Sequence, residues 1–217
     1  IKMIERNNKK NDNSFKILKN EISQKIRVVR LEQNKGPAFA RNIGLKLSKG
    51  RYICFLDADD LWEVNKIEKQ VDFMEKTDCA FSYTAYYYIT SEGIKCSKKV
   101  EVPQKLSYKQ ALKDTRILTI GVMFDTYKVN KELIKMPDVE LEDMATWWNI
   151  LKNGYTAYGI NEALAYYRKV KNSRGYNKIK SAKNRWKLYR KHEKISLIKT
   201  IYYYIFYMKN SIKKRKK

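Results

Sequence analysis

Between Lys25 and Thr90 the chain alternates short, continuously apolar or β-branched runs with longer stretches whose apolar positions fall three and four apart. KIRVVRL (Lys25–Leu31) is β-branched and predicts a strand. Pro37 sits where the first turn of a helix tolerates it and Gly50 where a helix ends; between them lie Ala38, Phe39, Ile43, Leu45 and Leu47. YICFL (Tyr52–Leu56) is apolar throughout, as strands buried on both faces of a parallel sheet are. A helix from about Val64 to Lys76 follows, then the strand CAFSYTAYYYIT, closed by a turn at Ser91-Glu92-Gly93. Upstream, Asp12 or Asn13 can cap a helix carrying Phe15, Leu18 and Ile22 on one face. This alternation predicts an α/β fold with a largely parallel sheet. In such sheets, ligands bind beyond the carboxyl ends of the strands.

The second half is patterned differently. In ELEDMATWWNILKNG (Glu140–Gly154), Leu141, Met144, Trp148 and Leu151 recur at helical spacing, with Glu142 and Asp143 in the first turn. There the helix dipole favours ionised carboxylates, although acidic first turns are common for purely structural reasons. ALAYYRKVKNSRGYNK reads as a strand running into a basic loop. Near the end, Ile195, Ile198, Ile201, Tyr202, Ile205 and Met208 give one apolar helical face, followed by KKRKK.

Composition narrows the class. With 217 residues, 43% hydrophobic and 13% aromatic, one main folded domain is expected. Cys54, Cys79 and Cys96 have no metal-type spacing and read as reduced cysteines. Ile1–Asn20 holds no apolar core flanked by a cleavage site, so a cytoplasmic location is expected. No apolar run approaches the length of a membrane-spanning helix. The formal net charge is +24; Lys180–Lys217 alone has fourteen Lys/Arg against Glu193. Such a tail predicts a polyanionic partner, nucleic acid or an anionic membrane surface, or else merely a solvated basic end. The eight uncharged residues Ile201–Met208 are too few to span a bilayer, but their flanking lysines suit a helix lying in the interface plane. The structural alternative is a helix packed on the domain.

Against this basic background, YICFLDADDLW puts three carboxylates, Asp57, Asp59 and Asp60, within four positions at a strand's end. Like charges that close repel unless something positive lies between them. One reading is helix capping by Asp59 or Asp60, which leaves the third carboxylate unexplained. A calcium loop is excluded, since Trp62 stands where glycine is required and a strand precedes where a helix should. The third reading is a divalent cation shared between a carboxylate and a nucleoside diphosphate.

NKGPAFARNIGLKLSKGRYICFLDADDLW, unbroken from Asn34 to Trp62, closely resembles the family 2 glycosyltransferases of GT-A fold. In these, Asn-x-Gly-x-x-x-Ala-Arg-Asn-x-Gly leads into an apolar strand and Asp-x-Asp-Asp. The resemblance extends more loosely to about Lys194 and is nearest to bacterial enzymes building capsular, teichuronic-type or lipopolysaccharide glycans. It implies a metal-dependent, inverting transfer from a nucleotide-sugar donor, uridine-linked, to a glycan or lipid-linked acceptor. Asp59 would hold Mn²⁺ or Mg²⁺ on the donor's diphosphate, Asp57 would lie beside the ribose and sugar, and Arg41 would contact the nucleotide. Asp60 is the one of the three that reads as a cap only. The Glu-Asp pair followed by an aromatic a turn later matches Glu142-Asp143 with Trp147 or Trp148, so Asp143 is the implied catalytic base and Glu142 its support. Arg168, Lys171 and Arg174 could close over the departing diphosphate, or be a solvated loop. ILTIGVMFDTYKV (Ile117–Val129) resembles the family's central strand and carries no reactive side chain that stands out.

The resemblance also implies a gap. Family members open with an apolar strand ending in Pro-x-Tyr-Asn, which this stretch lacks; IKMIE would be a remnant of their second strand. The expected organisation is a GT-A domain over residues 1–177, incomplete at its start, and a basic amphipathic helical tail over 178–217. Two alternatives remain: an inactive remnant that binds a membrane or a partner, and a nucleic-acid-binding basic protein. The second predicts aromatics interleaved with Lys/Arg on an open sheet and no acidic clusters, so nucleic acid is not the expected partner.

Overall fold

The computed structural model describes residues 2–4, 26, 28–114, 116–169 and 178–216. The helix expected around Phe15–Ile22 and the loop carrying Lys171 and Arg174 lie outside these residues.

Strands β1 (Lys2–Ile4) and β2 (Val28–Arg30) form a parallel pair. Helix α1 (Pro37–Leu47) starts at the expected proline. Its N-cap, Gly36, has φ 85°, a backbone conformation that suits glycine. There follow β3 (Tyr52–Cys54), β4 (Leu61–Trp62), α2 (Lys66–Thr77), β5 (Phe81–Ile89) and β6 (Lys105–Leu106). Helix α3 (Tyr108–Ala111), a 3-10 turn (Thr119–Gly121), β7 (Met123–Asp125), α4 (Lys131–Ile134), α5 (Glu142–Lys152) and β8 (Ala157–Arg168) complete the sheet region. Helix α6 (Lys178–Lys187), a π turn (Leu188–His192) and α7 (Leu197–Lys216) end the chain.

The main sheet runs β3-β7-β5-β8-β4, with β6 also paired to β8. It is mixed rather than mainly parallel. β5 and β8 pair in parallel, whereas β7 lies antiparallel between β3 and β5, and β4 and β6 are antiparallel to β8. Strands β3, β5 and β8 therefore share one direction, as the α/β pattern requires. The antiparallel additions are two or three residues long, too short to leave a periodic signal. Parallel neighbours demand a long crossover, whereas short inserted strands do not.

Alternation along β3 sorts the core. Ile53 packs with Phe81, Phe124 and Trp147 on the α5 side, while Tyr52 and Cys54 join Met74 and Met123 on the α2 side. Trp147 is buried against Phe124 with ring centroids 5.3 Å apart and against Phe81 at 6.0 Å. A tryptophan of this kind buries on the order of 200 Å² and fixes a helix on a sheet. It sets α5 with its first turn over the carboxyl end of β3. β5, flanked by β7 and β8, has nearly its whole length buried, and its sequence is accordingly mostly aromatic and apolar, with Ser82 and Thr84 the polar exceptions.

The tail helix packs and exposes apolar groups at once. Thr200 is buried, Tyr203 stacks towards Tyr189, Tyr204 meets Trp186 edge-on, and Arg185 lies 4.7 Å from the Tyr207 ring. Leu197, Ile198, Ile201, Tyr202, Ile205 and Met208 remain exposed, Ile198 at 82%. Among the described residues no helix is long and apolar enough to cross a membrane.

Candidate active site

The charge cluster of the sequence is resolved by Arg41. Its Nη2 donates to Asp57 Oδ1 at 2.7 Å and Oδ2 at 2.8 Å, and its Nη1 donates to Glu142 Oε1 at 3.1 Å. One guanidinium on α1 thus joins the loop after β3 to the first turn of α5, two acidic motifs 85 positions apart in sequence (142 − 57). Only a planar fork can serve both carboxylates in this way. Burial by itself would lower the Arg41 pKa. The charge and hydrogen bonds of Asp57, with the charges of Asp143 and Glu142, outweigh it and raise the pKa instead. Next to Arg41, Asn42 clamps the backbone before α5: its Nδ2 donates to Met136 O and its Oδ1 accepts from Met136 N, both at 2.8 Å. The Ala-Arg-Asn of the sequence is therefore a two-residue clasp between α1 and the approach to α5.

The three loop carboxylates have three environments. Asp57 is half-buried and held by Arg41. Asp59 is exposed, and its carboxylate has no hydrogen-bond or ion-pair partner among the described residues. Asp60 is buried, and its Oδ1 accepts from the backbone N–H of Arg168 at 2.7 Å. Burial, then the charges of Asp59 and Asp57, push the Asp60 carboxyl up to about 7, against the pull of that N–H. Asp60 caps no helix: α2 begins at Lys66 behind Asn65, with no side-chain cap. It ties the acidic loop to the end of β8.

Arg168 reaches the same loop by another route. Its guanidinium donates to the carbonyls of Asp59 (2.6 Å), Ser91 (2.6 Å) and Thr90 (3.1 Å). All of these are backbone oxygens, so here Arg168 shapes the backbone that carries Asp59.

On α5, Asp143 sits half-buried in the first turn. Its Oδ2 accepts from Thr119 Oγ1 at 3.0 Å and its Oδ1 from Met144 N at 2.7 Å. Thr119 opens the 3-10 turn before β7, in the segment whose sequence singled out no side chain. A lone threonine in an apolar run carries no signal until the fold brings Asp143 to it.

The donor set can be tested for a cation. Among the described residues no group of three or more His, Cys, Asp or Glu could hold a metal alone. Asp59 offers free, hard carboxylate oxygens at a strand end. That suits Mg²⁺ or Mn²⁺ only where phosphate oxygens and water complete the shell.

The sequence profile described as "Glycosyl transferase family 2" matches residues 2–135. The putative teichuronic acid biosynthesis glycosyltransferase TuaG of Bacillus subtilis is 44% identical over 196 residues, covering 90% of this chain and 77% of that protein. The Escherichia coli UDP-Glc:alpha-D-GlcNAc-diphosphoundecaprenol beta-1,3-glucosyltransferase WfgD is 35% identical, over 92% of this chain and 77% of its own. Among solved structures, S. aureus TarS 1-349 in complex with UDP-GlcNAc superposes with a TM-score of 0.65 at 16% identity, over 82% of this chain and 52% of that one. The mannosyltransferase PcManGT from Pyrobaculum calidifontis, in complex with GDP-Man and Mn²⁺, gives 0.60 at 18%, over 86% and 53%. The chain spans about half the length of these solved structures, and at such identities they speak to the fold alone. The chain belongs to glycosyl transferase family 2 and has the α/β fold of GT-A transferases.

Proposed function

We propose that this chain transfers a sugar from a uridine-linked nucleoside-diphosphate donor to a hydroxyl of a glycan or lipid-linked acceptor, with inversion, in cell-surface polysaccharide synthesis. The carrying observation is Arg41, which draws Asp57 and the Glu142-Asp143 turn into one site at the carboxyl end of β3. The named relatives support the donor and acceptor classes: one is a putative teichuronic acid glycosyltransferase, another uses UDP-Glc on a diphosphoundecaprenol-linked sugar.

In this reading Asp143 takes the proton from the acceptor hydroxyl as its oxygen bonds to the anomeric carbon and the bond to the diphosphate breaks. Glu142 holds Arg41, which stays charged beside Asp57, the residue assigned to the ribose and sugar. Asp59, on a backbone fixed by Arg168 and Asp60, would hold Mn²⁺ or Mg²⁺ against the donor's diphosphate. Such a cation would offset the charge of the leaving group. Lys171 and Arg174 keep their assignment to the leaving diphosphate from sequence alone.

The tail supports a reading in which the chain works at an anionic membrane surface. The packed face of α7 fixes the helix, and the outward apolar row beside basic residues matches an interface-lying helix on the cytoplasmic leaflet, where a lipid-linked acceptor is presented. The test of the chemistry is UDP release from UDP-glucose and UDP-GlcNAc by wild type and Asp143→Asn. Turnover of at least one donor that the variant loses supports the reading; equal rates in both proteins remove Asp143 from the chemistry.

A further inference from the structure

Outside the carboxylate cluster lies a buried cation that the transfer reaction does not use. Lys66, in the first turn of α2, is fully buried, and among the described residues no carboxylate pairs with it. Its Nζ donates to Gln70 Oε1 at 2.7 Å and lies 4.3 Å from the Trp62 ring centroid. Trp62, Lys66 and Gln70 are four residues apart in sequence. Trp62 Nε1 donates to Ile120 O at 2.7 Å, and Gln70 Nε2 donates to Gly121 O at 2.9 Å and Ser82 Oγ at 3.0 Å. Two of the three carbonyls of the 3-10 turn are therefore gripped from beneath. Its far side is closed by β5: a Cβ on Gly121 would meet Thr84 Oγ1, N and O at 3.2–3.3 Å. The residue that opens this turn is Thr119, whose hydroxyl donates to Asp143.

The chemistry explains why a lysine stands there. An ammonium can only donate and a carbonyl can only accept. Lys66 therefore fixes the Gln70 amide with its oxygen inward, which points both N–H donors at Gly121 O and Ser82. With an apolar residue at position 66 the amide could turn over and set oxygen against oxygen at the turn. We propose that Trp62, Lys66 and Gln70 are positioning residues that lock the 3-10 turn and so hold the Thr119 hydroxyl on Asp143. The proposal rests on Asp143 being the base.

Two conservative variants test it in the full chain. Trp62→Phe keeps a ring under Lys66 and removes the N–H to Ile120. Gln70→Glu keeps an acceptor for Lys66 and removes the donors to Gly121 O and to Ser82 Oγ. Each should speed amide exchange of Gly121, whose N–H bonds Leu118 O at 3.0 Å, by about tenfold or more. Each should also lower kcat with UDP-glucose about 10- to 100-fold while KM stays within about twofold, the mark of a lost transition-state interaction. Thr119→Val should cost a similar factor, and the Gln70→Glu/Thr119→Val double variant no more than its worse single, because both act through one bond. Additive losses, a matching rise in KM, or unchanged Gly121 exchange would overturn the proposal. If Asp143→Asn turns over like wild type, the base assignment fails by itself. Gly121 exchange then still reports whether the three residues hold the turn.

Discussion

Helix α5 lies between two arginines, Arg41 half-buried and Arg185 buried, whose surroundings could hardly differ more. Arg41, at its first turn, faces carboxylates on both sides. Arg185, on its flank, is 1% exposed and meets no carboxylate among the described residues. Its Nη2 donates to Asp114 O at 2.9 Å and Leu112 O at 3.4 Å, and its guanidinium lies 4.7 Å from the Trp148 ring and 4.7 Å from the Tyr207 ring. Carbonyls and aromatic faces solvate a cation without leaving net charge to attract a ligand, so Arg185 is a joint between α5, α6 and α7. Arg41 is different, because the carboxylates around it outnumber it and one more, Asp59, stands open beside them. A guanidinium marks a site here when its neighbours are acids, and a seam when they are carbonyls and rings.

That contrast can be broken in order of expected effect. Asp143→Asn should lower turnover by roughly 10² to 10⁴, the usual worth of a general base, with donor affinity held. A parallel collapse of donor affinity would move Asp143 from the chemistry to binding. Arg185→Leu should cost about 2–4 kcal/mol of stability, read from the urea midpoint, because Asp114 O is left buried without its donor and the rings of Trp148, Tyr189 and Tyr207 lose their cation. UDP affinity of the folded fraction should stay the same; an unchanged midpoint would mean that the seam is held by apolar packing alone.

Sequence reading reached the first half of this contrast and missed the second. The Ala-Arg-Asn and Asp-x-Asp-Asp stretches were legible because each is contiguous and sits beside a strong apolar run. Asp143 is singled out by the resemblance to the family's Glu-Asp pair, since acids opening a helix are common for structural reasons alone. Thr119, Arg185 and Lys66 were not, since each acts across 24 to 73 positions on partners that only the folded chain brings near, or inside a network whose other members are ordinary core residues. The four-residue spacing of Trp62, Lys66 and Gln70 was the one available signal, and it was absorbed into the expected helix. The mixed sheet escaped for a different reason: β4 and β6 are two residues each, and so short a strand has no period.

Lys66 gives the next test, with its sign fixed by burial. Burial lowers its pKa from 10.5 to about 8, opposed by the neighbouring Cys54. Between those values the unfolded chain holds a proton that the folded one has released, so stability should rise with pH from about 8 to 10.5 and be flat in this respect below 8. Lys66→Met should lack that slope, and near pH 7 the relief of a buried charge is set against the Gln70 Oε1 left without its donor. Equal pH dependence of the melting temperature in both proteins would show Lys66 to be hydrated.

The smallest effect is expected at the tail. Full-length chain should sediment with vesicles containing phosphatidylglycerol, more so as the anionic fraction rises and less so with salt. Ile198→Glu and Ile205→Glu, on the outward face of α7, should each weaken this several-fold without lowering the melting temperature. Indifference to lipid charge would leave that face to a protein partner.

Calorimetric titration of UDP into the chain with Mn²⁺ and with chelator, for wild type and for Asp59→Asn, bears on the acidic loop most directly. Wild type should bind UDP at least about tenfold more tightly with Mn²⁺ than with chelator, a coupling of ~1.4 kcal/mol or more, and Asp59→Asn should bind equally in both. Equal affinity of wild type in Mn²⁺ and in chelator would contradict a donor diphosphate held through a cation at Asp59.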